Sequence, residues 1–268
     1  MSDEVRDASS VYLARAIEVL QTLARTQAEA IAGAADAVAG AIASGHRVYV
    51  AATSHVLHTE LYLRAGGLAG VHPLGETPNL AQPMLDISAG VLRGDGPFVP
   101  EGGDVVLVGT NAGTDAGTVQ VALAARATGC VVIGLTSVAY ETWPDVVVEH
   151  PSGLRLVDIA DRVVDIGGVI GDGIVELPGL DTAVGPTSGM ALVSAGWAIL
   201  VGAAQRLVQR GLTPIVYRSV QIPGAESLFQ ERRAAYESTR QAAWPSSAGR
   251  GAGLDAGGAG SVLPKTRG

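Results

Sequence analysis

The stretch Arg47–Gly67, RVYVAATSHVLHTELYLRAGG, decides how the chain is read. Val48 to Ala52 is a short apolar run rich in β-branched residues, long enough for a buried strand. Thr53, Ser54 and His55 follow, small or polar residues at the place where a parallel strand ends. Leu57, Leu61 and Leu63 are then interleaved with His58, Glu60 and Arg64, an amphipathic pattern that predicts a helix within 53–65. Strand, polar turn and helix together put backbone N–H groups and hydroxyls at a helix start, a ready site for an anion.

The rest of the chain repeats this device. Apolar runs at Val105–Gly109, Val131–Leu135, Val146–Val148 and Val163–Asp165 predict four more strands, and Asp115–Thr128 predicts a helix. Apolar strands alternating with helices imply an α/β fold, a three-layer α/β/α sandwich around a five-stranded parallel sheet. Ahead of it, Leu13, Ile17, Leu20 and Leu23, then Ile31, Ala35, Val38 and Ile42, keep a helical period over 10–44, with Gly45 as the stop. Leu68–Gly103 is rich in Pro and Gly and reads as a long connection with a short helix near Leu80–Leu92. Gly189–Arg210 predicts a strongly apolar helix capped by Thr187 or Ser188, and Glu226–Arg240 a charged amphipathic one. From Gln241 onward Ala, Gly and Ser dominate, so one domain over 1–240 and a disordered tail over 241–268 are expected.

Composition narrows the function classes. The chain has 268 residues, 47% of them hydrophobic, and a formal net charge of −8 with no basic patch, which argues against nucleic acid and anionic membranes as partners. Gly189–Ala204 is apolar but reads as a buried helix rather than a span. MSDEVRDASS is acidic and polar, unlike a signal peptide, and one cysteine, Cys130 in an apolar run, fits a reducing, cytoplasmic setting. The single lysine is Lys265, in the tail, which excludes Schiff-base chemistry in the folded part; no P-loop motif occurs. No dense His/Cys cluster suggests a metal, and no cofactor motif is present.

In an open parallel sheet, ligands sit at the carboxyl ends of the strands. Three turns there carry hydroxyls: Thr53 and Ser54 with His55; Thr110, Asn111 and Thr114; Thr136 and Ser137. Hydroxyls and backbone N–H groups of this kind suit a phosphate ester and a polyol. Each turn alone is ordinary, since Ser, Thr and Asn are common turn and cap residues; three in register are more specific.

These residues resemble the SIS (sugar isomerase) phosphosugar-binding domain. ATSHVLHTEL at 52–61 is similar to its first sugar-phosphate loop and helix, TNAGTD at 110–115 to its second loop, GLTS at 134–137 to its third, and VGPTSG at 184–189 to the segment opening its last long helix. YLRAGGL at 62–68, HPSGLRL at 150–156 and GPTS at 185–188 resemble a stand-alone subgroup, and the likeness covers residues 8–240. The second loop departs from the usual S-x-S-G-x-T: Ala112 replaces a serine and Asp115 the final threonine. An aspartate aimed at a phosphate repels it, so Asp115 is expected to turn away and cap the next helix.

The resemblance implies removal of the proton beside a sugar carbonyl, followed by aldose–ketose isomerisation or by elimination. Glu60, Glu76 and His55 are the implied catalytic groups; Thr53, Ser54, Thr110, Asn111, Thr114, Thr136, Ser137, Thr187 and Ser188 the implied sugar-phosphate contacts. His58 and Asp172 are weaker candidates, the latter most simply a turn residue in G-D-G. A helix glutamate such as Glu60 is ordinarily a solvated face residue, and a loop glutamate such as Glu76 an exposed one. Two carboxylates suit elimination, which points to a lyase or dehydratase acting on an N-acetylhexosamine 6-phosphate. The neutral acyl-amino group fits the lack of an obvious carboxylate for a free ammonium. A phosphosugar isomerase and a non-catalytic sugar-phosphate sensor are the alternatives. The resemblance also implies a homodimer with the site near the interface, a sugar phosphate as the small-molecule partner, and no metal or cofactor.

Overall fold

The structure, a computed structural model, describes residues 7–74 and 100–246. Two helices come first. Helix α1 (Ala8–Thr26) is capped by Asp7, whose carboxylate accepts the Ser10 N–H at 3.2 Å. Gln27 separates it from α2 (Ala28–Ala43), and Gly45 at φ +80° ends α2 as expected.

Strand β1 (Val48–Ala51) is buried along its whole length and lies in a sheet with β2 (Val71–Leu74), β3 (Val105–Gly109), β4 (Val131–Thr136) and β5 (Arg162–Asp165). The order is β2-β1-β3-β4-β5 and every pairing is parallel. The connections leave β1 in opposite directions, so the crevice between the carboxyl ends of β1 and β3 is the switch point where such sheets bind ligands. Alternate residues of the strands build two cores. Val48, Val50, Leu107, Ile133 and Leu135 face α2 and α6 (Ser188–Gln209), while Tyr49, Ala51, Val106 and Val108 face α4 (Ala116–Ala127) and α5 (Leu156–Ile159). This is the expected three-layer α/β/α sandwich. α6 is long and apolar enough to cross a membrane by composition; here its Leu192, Ile199, Leu200 and Leu207 are buried in the first core.

Two strand assignments change. Val146–Val148 forms no strand; it runs over the surface after Trp143-Pro144, with Val147 71% exposed. β5 already covers that edge of β4. The fifth strand is β2, inside the stretch read as a connection. Its sequence VHPL holds a proline, which a sheet tolerates on an edge strand, where a missing N–H costs no ladder bond. The predicted helix within 53–65 shrinks to α3 (Leu57–Leu61). Tyr62 is extended, and Leu63 and Gly66 take positive φ, which ends the helical path.

Two antiparallel pairs complete the fold: β6 (Gly173–Val175) with β7 (Val184–Pro186), and β8 (Leu212–Pro214) with β9 (Ala243–Pro245). Helix α7 (Ala225–Thr239) lies between β8 and β9 in the chain. β9 falls where disorder was expected. Ala242 is buried beside it and its carbonyl accepts the Ile215 N–H, so the fold continues past residue 240. Glu76, the helix expected near Leu80–Leu92 and residues 247–268 lie outside the described residues.

Candidate functional site

A cleft of about 740 Å³ opens at the carboxyl ends of β1 and β3. Thr53, Ser54 and His55 from the first turn line it, with Thr110 and Asn111 from the second and Ser188 from the start of α6. Thr53 Oγ1 donates to the Gly109 carbonyl at 3.0 Å, so this hydroxyl ties the end of β1 to the end of β3. Ser54 Oγ accepts the N–H of Leu57, the first residue of α3, at 3.3 Å. His55 is exposed on the cleft wall.

Asp115 behaves as expected. Its Oδ1 accepts the Thr118 N–H at 2.8 Å and caps α4, and its Oδ2 accepts the Thr110 hydroxyl at 3.4 Å. Its charge is thus held at a helix start, where the macrodipole favours it.

The third turn stands one layer back. Ser137 Oγ donates to Asn111 Oδ1 at 2.7 Å, Thr136 Oγ1 donates to the Asn111 carbonyl at 3.1 Å, and both hydroxyls are buried off the cleft wall. Asn111 Nδ2 in turn donates to the Tyr140 hydroxyl at 3.3 Å. Thr136 and Ser137 therefore fix the orientation of Asn111. Thr114 is buried, with its carbonyl accepting the Glu149 N–H, and Thr187 is buried at the N-cap of α6 with its hydroxyl unpartnered.

The acids divide. Glu60 sits off the cleft wall, 3.0 Å from Arg64 four residues on, past the end of α3. Asp172 is on the wall. Its Oδ1 accepts the backbone N–H groups of Thr187 at 3.1 Å and Ser188 at 2.9 Å, and its Oδ2 accepts the Ser188 hydroxyl at 2.7 Å. The aspartate adopts φ +64° between Gly171 and Gly173, a backbone state that costs a non-glycine residue on the order of 1 kcal/mol. Its carboxylate occupies the α6 N-terminus, the position an anionic ligand would otherwise take.

His58 is 1% exposed, off the cleft wall, and neither ring nitrogen has a hydrogen-bond partner of normal geometry. Burial holds its pKa below the usual value, and the Ser54 backbone offsets part of that effect. It shares no face of the cleft with His55. Among the described residues no group of three or more His, Cys, Asp or Glu side chains is placed to hold a metal ion. His150 orders its own turn through Ser152 and Gln120.

Tyr12 of α1 also lines the cleft, its hydroxyl donating to the Pro186 carbonyl at 3.1 Å. It lies far from the loop motifs in sequence, inside a stretch whose periodicity signals packing alone. Val56, Pro186, Met190 and Leu192 supply apolar wall.

A family model described as the SIS domain matches residues 11–89. The fold is similar to phosphoheptose isomerase GmhA from Neisseria gonorrhoeae, 12% identical, with a TM-score of 0.46, covering 74% of this chain and 95% of that one. It is also similar to the Vibrio vulnificus NanR protein complexed with ManNAc-6P, 13% identical, with a TM-score of 0.43, covering 88% and 70%. A UPF0309 protein of Brucella anthropi is 34% identical over 218 residues, which span 78% of this chain and 88% of the relative. With that identity over nearly the whole relative, the chain belongs to the UPF0309 family, and its residues 11–89 match the SIS domain.

Proposed function

We propose that the cleft binds a sugar phosphate and that the protein is an isomerase moving the proton beside the sugar carbonyl. The observation that carries this reading is the convergence of Thr53, Ser54, Thr110, Asn111 and His55 on one cleft at the sheet's switch point. The Ser54 hydroxyl and backbone N–H groups of the two turns hold the phosphate, and the Asn111 amide and the threonine oxygens meet the sugar hydroxyls. His55 takes the proton from C2 of the open-chain aldose and the electron pair forms an enediolate; a proton passes from O2 to O1, and the C2 proton returns at C1 to give the ketose.

Elimination from an N-acetylhexosamine 6-phosphate asks for a second acid at the leaving oxygen. Of the two carboxylates expected for it, Glu60 pairs with Arg64 off the cleft and Glu76 lies outside the described residues. With Asp172 anchored at the start of α6, His55 is the base left on the described part of the wall, which favours isomerisation. Leu13 and Ile17, 60% and 54% exposed on the helix that also carries Tyr12, are the apolar surface we assign to a second copy in a homodimer.

The test is incubation of the pure protein with hexose and hexosamine 6-phosphates in heavy water, followed by NMR. Deuterium at C1 of a ketose product, and at C2 of the recovered aldose, is expected, and His55→Asn should slow it by about 10²–10⁴ while Glu60→Gln leaves turnover intact. An unsaturated product, dependent on Glu60, would replace isomerisation by elimination. Binding without exchange would leave a sensor.

A further inference from the structure

We infer that Asp172 selects for a phosphosugar carrying a protonated primary amine. The inference rests on the phosphosugar reading of the cleft and adds the chemistry of the substrate's second group.

A carboxylate offers about four acceptor positions on its two oxygens. Three of those on Asp172 are taken: two at Oδ1 by the Thr187 and Ser188 N–H groups, and one at Oδ2 by the Ser188 hydroxyl. One position on Oδ2 is left, on a residue that forms part of the cleft wall. The cleft is otherwise short of charge. Among its described lining residues there is no lysine or arginine, and Asp172 is the carboxylate.

A phosphate dianion bound at the Thr53–Ser54 and Thr110 turns therefore shares the cleft with a fixed negative charge and, among the described residues, no cationic side chain to balance it. A neutral sugar leaves that repulsion in place. An ammonium on the sugar removes it and fills the open acceptor position with a charge-assisted hydrogen bond. The anchoring bonds hold the carboxylate still, so it needs no reordering on binding. This replaces the expectation of an N-acetylated sugar, which stood on the apparent lack of a carboxylate for a free amine.

The experiment compares glucosamine 6-phosphate, N-acetylglucosamine 6-phosphate and glucose 6-phosphate by calorimetry on the full chain. The wild type should bind the free amine tighter than glucose 6-phosphate by about ten- to a hundredfold, the range of a hydrogen bond to a charged group. Asp172→Asn keeps an acceptor for both N–H groups and a donor for Ser188 Oγ, and asparagine tolerates the left-handed backbone. It should erase the amine preference and leave glucose 6-phosphate binding no weaker. Equal affinities in the wild type overturn the inference while the phosphosugar reading stands, and this comparison needs no variant to fold. A preference that survives in Asp172→Asn overturns it as well. If none of the three sugars binds, the phosphosugar reading falls and takes the inference with it.

Discussion

Acid should loosen this fold at its buried histidines, and His72 is the one whose share can be sized. His72 lies on edge strand β2, 8% exposed, with its Nε2 against the Tyr236 hydroxyl of α7 and its ring packed near Tyr49 and Tyr62. Burial, with the Arg47 charge nearby, pushes its pKa down to about 4. An unfolded histidine titrates near 6.5, so below that pH the unfolded chain binds a proton that the folded chain refuses. The stability His72 contributes is fully present above pH 6.5 and is lost as pH falls toward about 4. A gap of roughly 2.5 units at 1.36 kcal/mol each caps the loss at about 3.4 kcal/mol, with about 2 kcal/mol gone by pH 5 and about 3 by pH 4. Carboxylates titrate over the same range, so the informative quantity is a difference. His72→Gln presents Tyr236 with a neutral partner at every pH. Urea unfolding of both proteins from pH 7.5 to pH 4 should show the wild type losing about 3 kcal/mol more than the variant. A difference that stays flat with pH would mean that His72 is protonated in the native state and that its burial is not what holds α7 to the sheet.

Two further variants probe the second turn. Gly168 lies against the Ser137–Asn111 pair, and a Cβ there would stand 2.2 Å from Ser137 Oγ and 2.6 Å from Asn111 Oδ1. Gly168→Ala should therefore displace Asn111, weaken sugar-phosphate binding in calorimetry and cost about 1–3 kcal/mol of stability. Asp115→Ala removes the α4 cap and should lower stability by about 1 kcal/mol in thermal unfolding, with sugar-phosphate affinity little changed; a large gain in affinity would show that Asp115 faces the phosphate after all.

The parts of the fold written in local periodicity were readable. β1, β3, β4 and β5 announce themselves as β-branched runs, and α1, α2, α4 and α6 as apolar stripes. What failed was decided by neighbours distant in sequence. Val146–Val148 has the composition of a strand but no sheet edge to join, since β5 pairs with β4. Val71–Leu74 has a histidine and a proline in four residues yet forms a strand, because β1 offers it an edge and Tyr236 meets its histidine. The site shows the same division. Thr53, Ser54, Thr110 and Asn111 follow strands and were placed by the general rule for parallel sheets. Asp172 looked like a turn residue in G-D-G, which it is by backbone. Its second role, holding the start of α6, exists because β6 and β7 pair and bring residue 172 beside Ser188.

That pairing ties the cleft to the core. Gly109 ends β3 at the floor of the crevice, and its carbonyl accepts the Thr53 hydroxyl. A Cβ at Gly109 would lie 2.5 Å from Leu57 Cδ2 and 3.1 Å from Leu192 Cδ2. Leu57 belongs to α3, whose first N–H is accepted by Ser54, and Leu192 to α6, whose start is held by Asp172. The close approach that glycine permits therefore sets how near both helix starts come to the end of β3. Both leucines are buried in the core shared by α2, α6 and the sheet. Polar groups of the cleft are thus positioned by apolar packing directly beneath them.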